Sequence, residues 1–381
     1  MTLASSQLGR RRIVLLGIGH TNAHIVKQWV TQPIADCDLV CISKFPTATY
    51  SGMLPGTLGK QFADDEMTID LQSLCDRAAA QLVIADTSGL DLTAGEILFT
   101  DREPLGFDVL SIGVGSMPVG WQKHSQSPLM VPIKPMQTFL QRLDSRLQAA
   151  QSTGQETIRV SIVGGGVAGI EIAFCLKQLC RKRQRACKVE ITIYTSSDRV
   201  ADGMTDRSVR RIESLLSNRQ INVCPNRRIV NVGTDSIETN DQQSYPSDCV
   251  IWATGAAAPP VLAKLGLLAD DNGFVATSNT LQSIADPRIF AVGDSGTILS
   301  SPAPKAGVYA VRQCPILWHN IRAFVNKQPL KTYKPQQDFL KLLNTGDGKA
   351  LLQYNRITVH ARWCWHLKTW IDCRFIHEFQ R

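Results

Sequence analysis

A strand, glycine turn, helix and strand occur twice in this chain, and that duplication constrains its fold more than any other feature. Residues Arg12-Ile-Val-Leu-Leu-Gly17-Ile-Gly19-His20 read as a short buried strand running into a glycine turn. A helix over 21–30 and a strand over 39–43 follow. The same grammar returns with a strand over 157–163, the turn Gly164-Gly-Gly-Val-Ala-Gly169, a helix over 170–179 and a strand over 189–194. Each unit is followed by an apolar strand that ends in small residues, over 107–115 and over 248–255. Gly17 to Gly113 spans 96 positions and Gly164 to Gly255 spans 91. A repeat of that length predicts two nucleotide-binding domains of related α/β design, not a solenoid.

The second turn fits the pattern G-x-G-x-x-G. Gly164 permits the tight turn, Gly166 lets backbone N–H groups approach a pyrophosphate, and Gly169 lets the helix pack close to the strand. In the first turn Gly17 and Gly19 fit, but Asn22 stands where the third glycine belongs. His20 and His24 lie one helical turn apart without further ligands at metal-site spacing, which favours ring packing or hydrogen bonding near a phosphate over a metal. Residues 288–294 form another apolar strand ending in Gly293-Asp294, and a helix over 306–326 comes after it. Asp294 at such a strand end either accepts hydrogen bonds from sugar-like hydroxyls or caps the segment that follows. Four prolines (118, 128, 132, 135) mark a crossing between the halves, and a helix is expected over 136–150.

Composition narrows the class. The chain has 381 residues, enough for two or three domains, with 44% hydrophobic and 19% charged residues, which excludes disorder. Its 41 basic and 33 acidic residues give a charge of +8, which draws in anionic cofactors, membrane surfaces or nucleic acid without choosing among them. No stretch is apolar for long enough to predict a spanning helix. Eleven scattered cysteines, among them Cys175, Cys180, Cys187 and Cys314, suit buried thiols in a reducing cytoplasm better than a disulfide framework.

These residues resemble the two-dinucleotide-binding-domain flavoproteins, the pyridine nucleotide-disulfide oxidoreductase superfamily. Within it the chain looks similar to type II NADH dehydrogenases, and more closely to the flavoprotein domain found alone or fused ahead of selenophosphate synthetases. The second likeness rests on Gly17-Ile-Gly19-His20, Tyr50-Ser-Gly-Met-Leu-Pro-Gly56, Lys134-Pro135, the string 304–313, Leu342-Leu-Asn-Thr-Gly-Asp-Gly348 and the tail 363–372. It implies two Rossmann-like domains: an FAD domain split between residues 1–118 and 256–328, an NAD(P) domain with its linker at 119–255, and a C-terminal interface segment at 329–381.

The same resemblance implies that FAD lies at the first turn, with Gly17, Gly19, His20 and Gly113 around its pyrophosphate, Val83 offering backbone to adenine and Asp294, after Gly293, binding the ribityl chain. Lys44 stands near the FAD ribose, while Tyr50, Lys305 and Ala306 approach the isoalloxazine ring. NADH or NADPH would occupy Gly164, Gly166 and Gly169, with Glu171 as the side chain near the flavin–nicotinamide junction. The implied activity is oxidation of NAD(P)H by hydride transfer to flavin, with electrons passed to an unidentified acceptor. A peripheral membrane quinone reductase, and a slow FAD-binding module serving selenium metabolism, are the alternatives. No nucleic-acid partner is expected.

Several positions depart from the family pattern. The redox C-x4-C of disulfide reductases is replaced by Tyr50-Ser-Gly-Met, and Cys175 and Cys180 fall about 140° apart around their helix. Ser43-Lys44 ends the strand where a ribose-binding carboxylate is usual. The corresponding end of the second half reads Tyr194-Thr-Ser-Ser-Asp-Arg199, where the serines and Arg199 suit a 2′-phosphate and Asp198 suits NADH. The glutamines of a quinone site are missing from 305–311. Cys314 is either a flavin-side thiol or core. Trp363, Leu367, Trp370, Ile371 and Phe375 follow helical spacing beside Arg362, Lys368 and Arg374, which suits a membrane surface, the flavin domain or a dimer interface.

Overall fold

The computed structural model describes residues 9–182 and 188–380; Cys187 lies outside them. Arg11–Leu16 is the central strand of a five-stranded, wholly parallel sheet. Cys37–Ser43 and then Gln81–Ile84 flank it on one side, and Val109–Ile112 and then Ile289–Ala291 on the other. In the second half Thr157–Val163 is central, with Lys188–Tyr194 and Ile221–Cys224 on one side and Cys249–Trp252 and Met130–Pro132 on the other. Ile13, Val14, Leu15, Ile158, Val160 and Ile162 are buried, because parallel strands covered on both faces need continuous apolar runs.

The duplication goes deeper than the sequence reading. Each half also carries a three-stranded antiparallel meander, at Thr87–Asp91, Glu96–Phe99 and Leu105–Gly106 and again at Ile229–Val232, Ser236–Thr239 and Ser244–Pro246. The chain passes between the halves twice, and the two passages pair as an antiparallel ladder of Met117–Pro118 with Ala256–Ala257. The helix expected over 136–150 is a short 3-10 turn, Met136–Thr138, that continues as Phe139–Gln151.

The last fifty residues hold more than the expected helix. Lys341–Asn344, Ala350–Tyr354 and Ile357–Ala361 form an antiparallel sheet, followed by the terminal helix Arg362–Gln380. The sheet docks on the second half, where Arg219 pairs with Asp347 at 2.7 Å and lies over the Phe174 ring. The terminal helix docks on the first half through a Lys27–Glu378 ion pair and a hydrogen bond from Arg77 to the Phe379 carbonyl. One segment thus clamps both sheets.

Asn22 accounts for the irregular first turn. Fully buried, it donates from Nδ2 to the Gly17 carbonyl at 2.8 Å and to the Ser111 carbonyl at 3.1 Å. Its Oδ1 accepts from the Ser111 hydroxyl at 2.7 Å. In the second turn the helix closes directly, with a Cβ at Gly169 running into the Gly164 carbonyl. A side-chain clamp replaces a backbone contact. Asn22→Ala leaves a buried hydroxyl and a buried carbonyl without their partner, so it is expected to lower stability by about 2–3 kcal/mol. Thermal unfolding checks this, and an unchanged midpoint would refute the clamp.

Candidate functional site

The first turn leaves room only for backbone. Gly17 has φ +79°, and a Cβ on it would come 2.7 Å from the Val114 Cα and 2.8 Å from Gly113. Gly113 in turn faces the Asn22 amide, and Gly19 lies exposed before the helix His20–Thr31. That helix has no side-chain cap, so its first N–H groups point out of the strand ends unclaimed by any side chain. Beside them, His20 Nε2 is buried without a hydrogen-bond partner among the described residues, and burial pushes the imidazole down to about 4. His20 is therefore neutral. His24 sits a turn away against Gln28, and among the described residues no group of three His, Cys, Asp or Glu side chains is placed to hold a metal.

Asp294 stands at the mouth of this crevice with 19% of its side chain exposed. Ser116 donates to Asp294 Oδ2 at 2.6 Å, Lys134 donates to Ser116 at 2.6 Å, and the Lys134 ammonium lies 3.7 Å from the same carboxylate oxygen. Burial lowers the pKa of Lys134 while Asp294 opposes that shift. Gly293, Asp294, Lys305 and Ala306 line one cleft together with Tyr309 and Gln313. Lys305 turns its ammonium to the Gly296 carbonyl and the Thr297 hydroxyl, which line the same cleft, and over the Phe274 ring. Ala306 opens the uncapped helix Gly307–Val325. Cys314, on that helix, is buried with its thiol on the Ala310 carbonyl, and burial pushes it up to about 12. It is core, not a poised thiolate.

Val83 lies buried in its strand and lines a separate surface cleft with Phe99, Arg102 and Pro104. Lys44 reaches across to Asp86 at 2.6 Å, an exposed pair at the strand ends. A carboxylate is therefore present at this end of the sheet, supplied by the neighbouring strand. In the second turn a Cβ on Gly164 would strike the Ala253 carbonyl, whereas Gly166 is exposed and faces open space. Thr195 packs against Gly165, and Arg199 is already engaged by Asp206 at 2.6 Å and Asp202 at 3.9 Å.

Buried polar groups tie each half to the C-terminal segment. The Tyr50 ring stacks on Phe375 at 4.6 Å and edges His20 at 5.4 Å, and its hydroxyl donates to Asp372 Oδ1 at 3.0 Å. Lys368 donates to Asp372 Oδ2 at 2.8 Å and to the Gly52 carbonyl at 2.9 Å. Glu171, on the helix after the second turn, accepts from the Asn344 backbone N–H at 2.7 Å. Burial pushes its carboxyl up to about 7, with Lys368 and the Asn344 N–H pulling down and Asp372 pushing up. Burial also works against the Lys368 ammonium, yet Asp372 and Glu171 raise its pKa.

Ser116, Lys134, Lys368 and Asp372 were not singled out as site residues from the sequence. The legible signal was on the terminal helix, where Cys364, Lys368, Asp372, Ile376 and Phe379 form its buried stripe. Two charges on an otherwise apolar face need a reason. The five apolar tail residues are not one face: Trp363 and Trp370 are exposed, while Leu367, Ile371 and Phe375 are half-buried.

Both turns fit a dinucleotide on the geometry of the chain: backbone-only approaches at Gly17 and Gly164, open space at Gly166, an orphaned imidazole nitrogen and an uncapped helix start. Pyridine nucleotide-disulphide oxidoreductases as a family match residues 11–314. The NADH dehydrogenase-like protein YutJ of Bacillus subtilis is 20% identical over 301 residues, 77% of this chain and 79% of that protein. Demethylphylloquinone reductase NdbB of Synechocystis is 25% identical over 278 residues, 69% of this chain and 66% of that protein. NDH2 from Plasmodium falciparum, solved with NADH, superposes with a TM-score of 0.82 over 97% of both chains at 13% identity, a likeness of fold. Because the family match runs through both glycine turns and both parallel sheets, the chain belongs to the pyridine nucleotide-disulphide oxidoreductase family and is an oxidoreductase with FAD and NAD(P)H as its cofactors.

Proposed function

We propose that this enzyme oxidises NAD(P)H and passes the electrons to a small acceptor that takes up protons with them, of the quinone class. The observation that carries this reading is the hydrogen-bonded set Tyr50, Lys368 and Asp372, with buried Glu171 in the electrostatic reach of Lys368 and Asp372. An acceptor that takes electrons alone needs no such set. The name of the relative from Synechocystis, a demethylphylloquinone reductase, agrees with it.

Bound FAD supplies the chemistry of accepting hydride from the nicotinamide and releasing electrons to the acceptor. Gly17, Gly19 and the free N–H groups of the His20–Thr31 helix hold its pyrophosphate. Neutral His20 donates or accepts a hydrogen bond there without adding charge. Asp294 accepts from ribityl hydroxyls, held in place by Ser116, while Lys134 offsets its charge. Val83 offers backbone to adenine, and Asp86 beside Lys44 takes over the ribose contact. Gly164, Gly166 and Gly169 seat the second dinucleotide, and the prior engagement of Arg199 by two carboxylates favours NADH over NADPH. Glu171, protonated below about pH 7, holds the proton that the acceptor needs.

Two outcomes follow from these roles. Lys134→Met removes a charge-assisted hydrogen bond beside Asp294 and should weaken FAD binding about tenfold or more, measured by flavin fluorescence. Unaltered affinity would remove Lys134 from the site. Glu171→Gln should leave bleaching by NADH intact and slow reoxidation by a water-soluble quinone by about 10²-fold or more. Ferricyanide, which takes no proton, should be reduced at the normal rate. Wild-type quinone reduction should fall as pH rises through about 7, and the variant should show no such fall. Equal losses with both acceptors would contradict the reading.

A second observation favours contact with a membrane surface. Trp363 and Trp370 are 54% and 58% exposed on one face of the terminal helix, with Arg374 over the Trp370 ring and Ile357 60% exposed nearby in sequence. No helix among the described residues is long and apolar enough to cross a membrane. Flotation with anionic vesicles should be lost in the double variant Trp363→Ala, Trp370→Ala; flotation that survives would rule out this face.

A further inference from the structure

The helix Asp206–Asn218 carries an arrangement of charge that works against its own stability. Arg207, Arg210 and Arg211 fall at positions i, i+3 and i+4, where side chains share one face and like charges repel. Arg207 also lies in the first turn, at the positive end of the helix dipole. Ion pairs offset such a cost at both ends of this helix. Arg199 is engaged by Asp206 and Asp202, and Arg219, just past the last turn, by Asp347. The three arginines between them are not offset. Among the described residues Arg207 and Arg210 make no hydrogen bond or ion pair, and the polar partner of Arg211 is His360, whose Nδ1 lies at 3.2 Å. Glu213, the other acidic residue of the helix, pairs with none of them.

These side chains converge. Arg207, Arg210, Arg211 and Ser214 line one surface cleft of about 430 Å³ together with Thr358 and His360 of the strand Ile357–Ala361. That volume falls within the range of small-ligand sites. Alternation along the strand sets Thr358 and His360 on the face toward the helix, where the Thr358 hydroxyl lies 2.8 Å from that of Ser208 and His360 meets Arg211. A guanidinium only donates, so His360 Nδ1 accepts from Arg211 and Nε2 donates to the Thr345 hydroxyl at 3.0 Å. The charge of the cleft therefore comes from three guanidinium groups, with no carboxylate among its lining residues.

We propose that this cleft binds a phosphate group, carried by a small phosphorylated anion or by a lipid headgroup. A terminal phosphate presents three charged oxygens, one for each guanidinium, whereas a carboxylate presents two. The exposed Ser214 hydroxyl supplies a further donor. The cleft is built from neither glycine turn. It lies between a helix of the second half and the C-terminal sheet, whose docking there also uses the Thr205 backbone N–H on Gln353 and the Ser208–Thr358 hydroxyl pair. A bound phosphate joins the two sides of that contact and strengthens it.

Calorimetric titration of the full chain with sodium pyrophosphate, at constant ionic strength with FAD bound and NAD+ in excess, tests this. Saturable binding is expected, weakened about tenfold or more in Arg207→Gln and in Arg210→Gln. Arg228→Gln, at an exposed arginine outside the cleft, should change it by less than about twofold. Removing like-charge repulsion should leave the unfolding midpoints of the two cleft variants no lower than that of the wild type, and pyrophosphate should raise the wild-type midpoint alone. Sedimentation with vesicles of phosphatidic acid in phosphatidylcholine separates the two sources. Arginine-dependent binding there without pyrophosphate binding assigns a lipid headgroup; pyrophosphate binding assigns a free ligand; each supports the site. No binding in either arm, binding unchanged in both cleft variants, or a loss of NAD+ affinity in them would overturn the proposal. Neither hydride transfer nor an acceptor enters the measurement, so its outcome is independent of the functional reading above.

Discussion

Everything in this molecule is arranged around two places where backbone meets backbone too closely for any side chain. At Gly17 the turn lies against Gly113 and Val114; at Gly164 it lies against the Ala253 carbonyl. That closeness brings the start of each following helix over the carboxyl ends of its sheet, where N–H groups and the helix dipole are directed at a phosphate. The third position shows that the constraint is geometric and not a matter of motif. One half meets it with Gly169, the other with a buried asparagine that hydrogen-bonds the same carbonyl.

Charge is then distributed with care inside the protein. The crevice of the first turn holds one carboxylate, Asp294, offset by Lys134 through Ser116, with a neutral imidazole beside it. A second buried set holds one cation, Lys368, and two carboxyls, Asp372 and Glu171, and burial pushes Glu171 up to about 7. Neither set lies on one element. Tyr50 comes from the first half, Glu171 from the second and Lys368 and Asp372 from the end of the chain.

The doubled α/β architecture was legible because it rests on local signals: apolar runs of strand length, glycines at fixed offsets and strands ending in small residues. Gly17, Gly19, Gly164 and Gly166 follow the strand ends, and Gly169 opens the next helix, for the same reason. What the sequence concealed was set by pairing across long separations. The meanders at 87–106 and 229–246 and the sheet at 341–361 are short antiparallel strands with weak periodicity. Lys134 reaches Ser116 and Asp294 only because the crossing segment returns to the first sheet. Arg199 and Asp198 left the choice of dinucleotide open, since the sequence does not reveal the pairing of Arg199 with Asp206. Asp86 was hidden in the same way, 42 residues along the chain from Lys44 and beside it in space.

The central claim is that one chain holds a flavin at its first glycine turn and a reduced dinucleotide at its second, placed for hydride transfer between them. Anaerobic stopped-flow mixing of the FAD-loaded protein with NADH deuterated at the transferred position of C4 tests it most directly. The account predicts one flavin bleached per dinucleotide, more slowly than with unlabelled NADH because that hydrogen moves in the step observed. A flavin that stays yellow with both NADH and NADPH, although both bind, would contradict it.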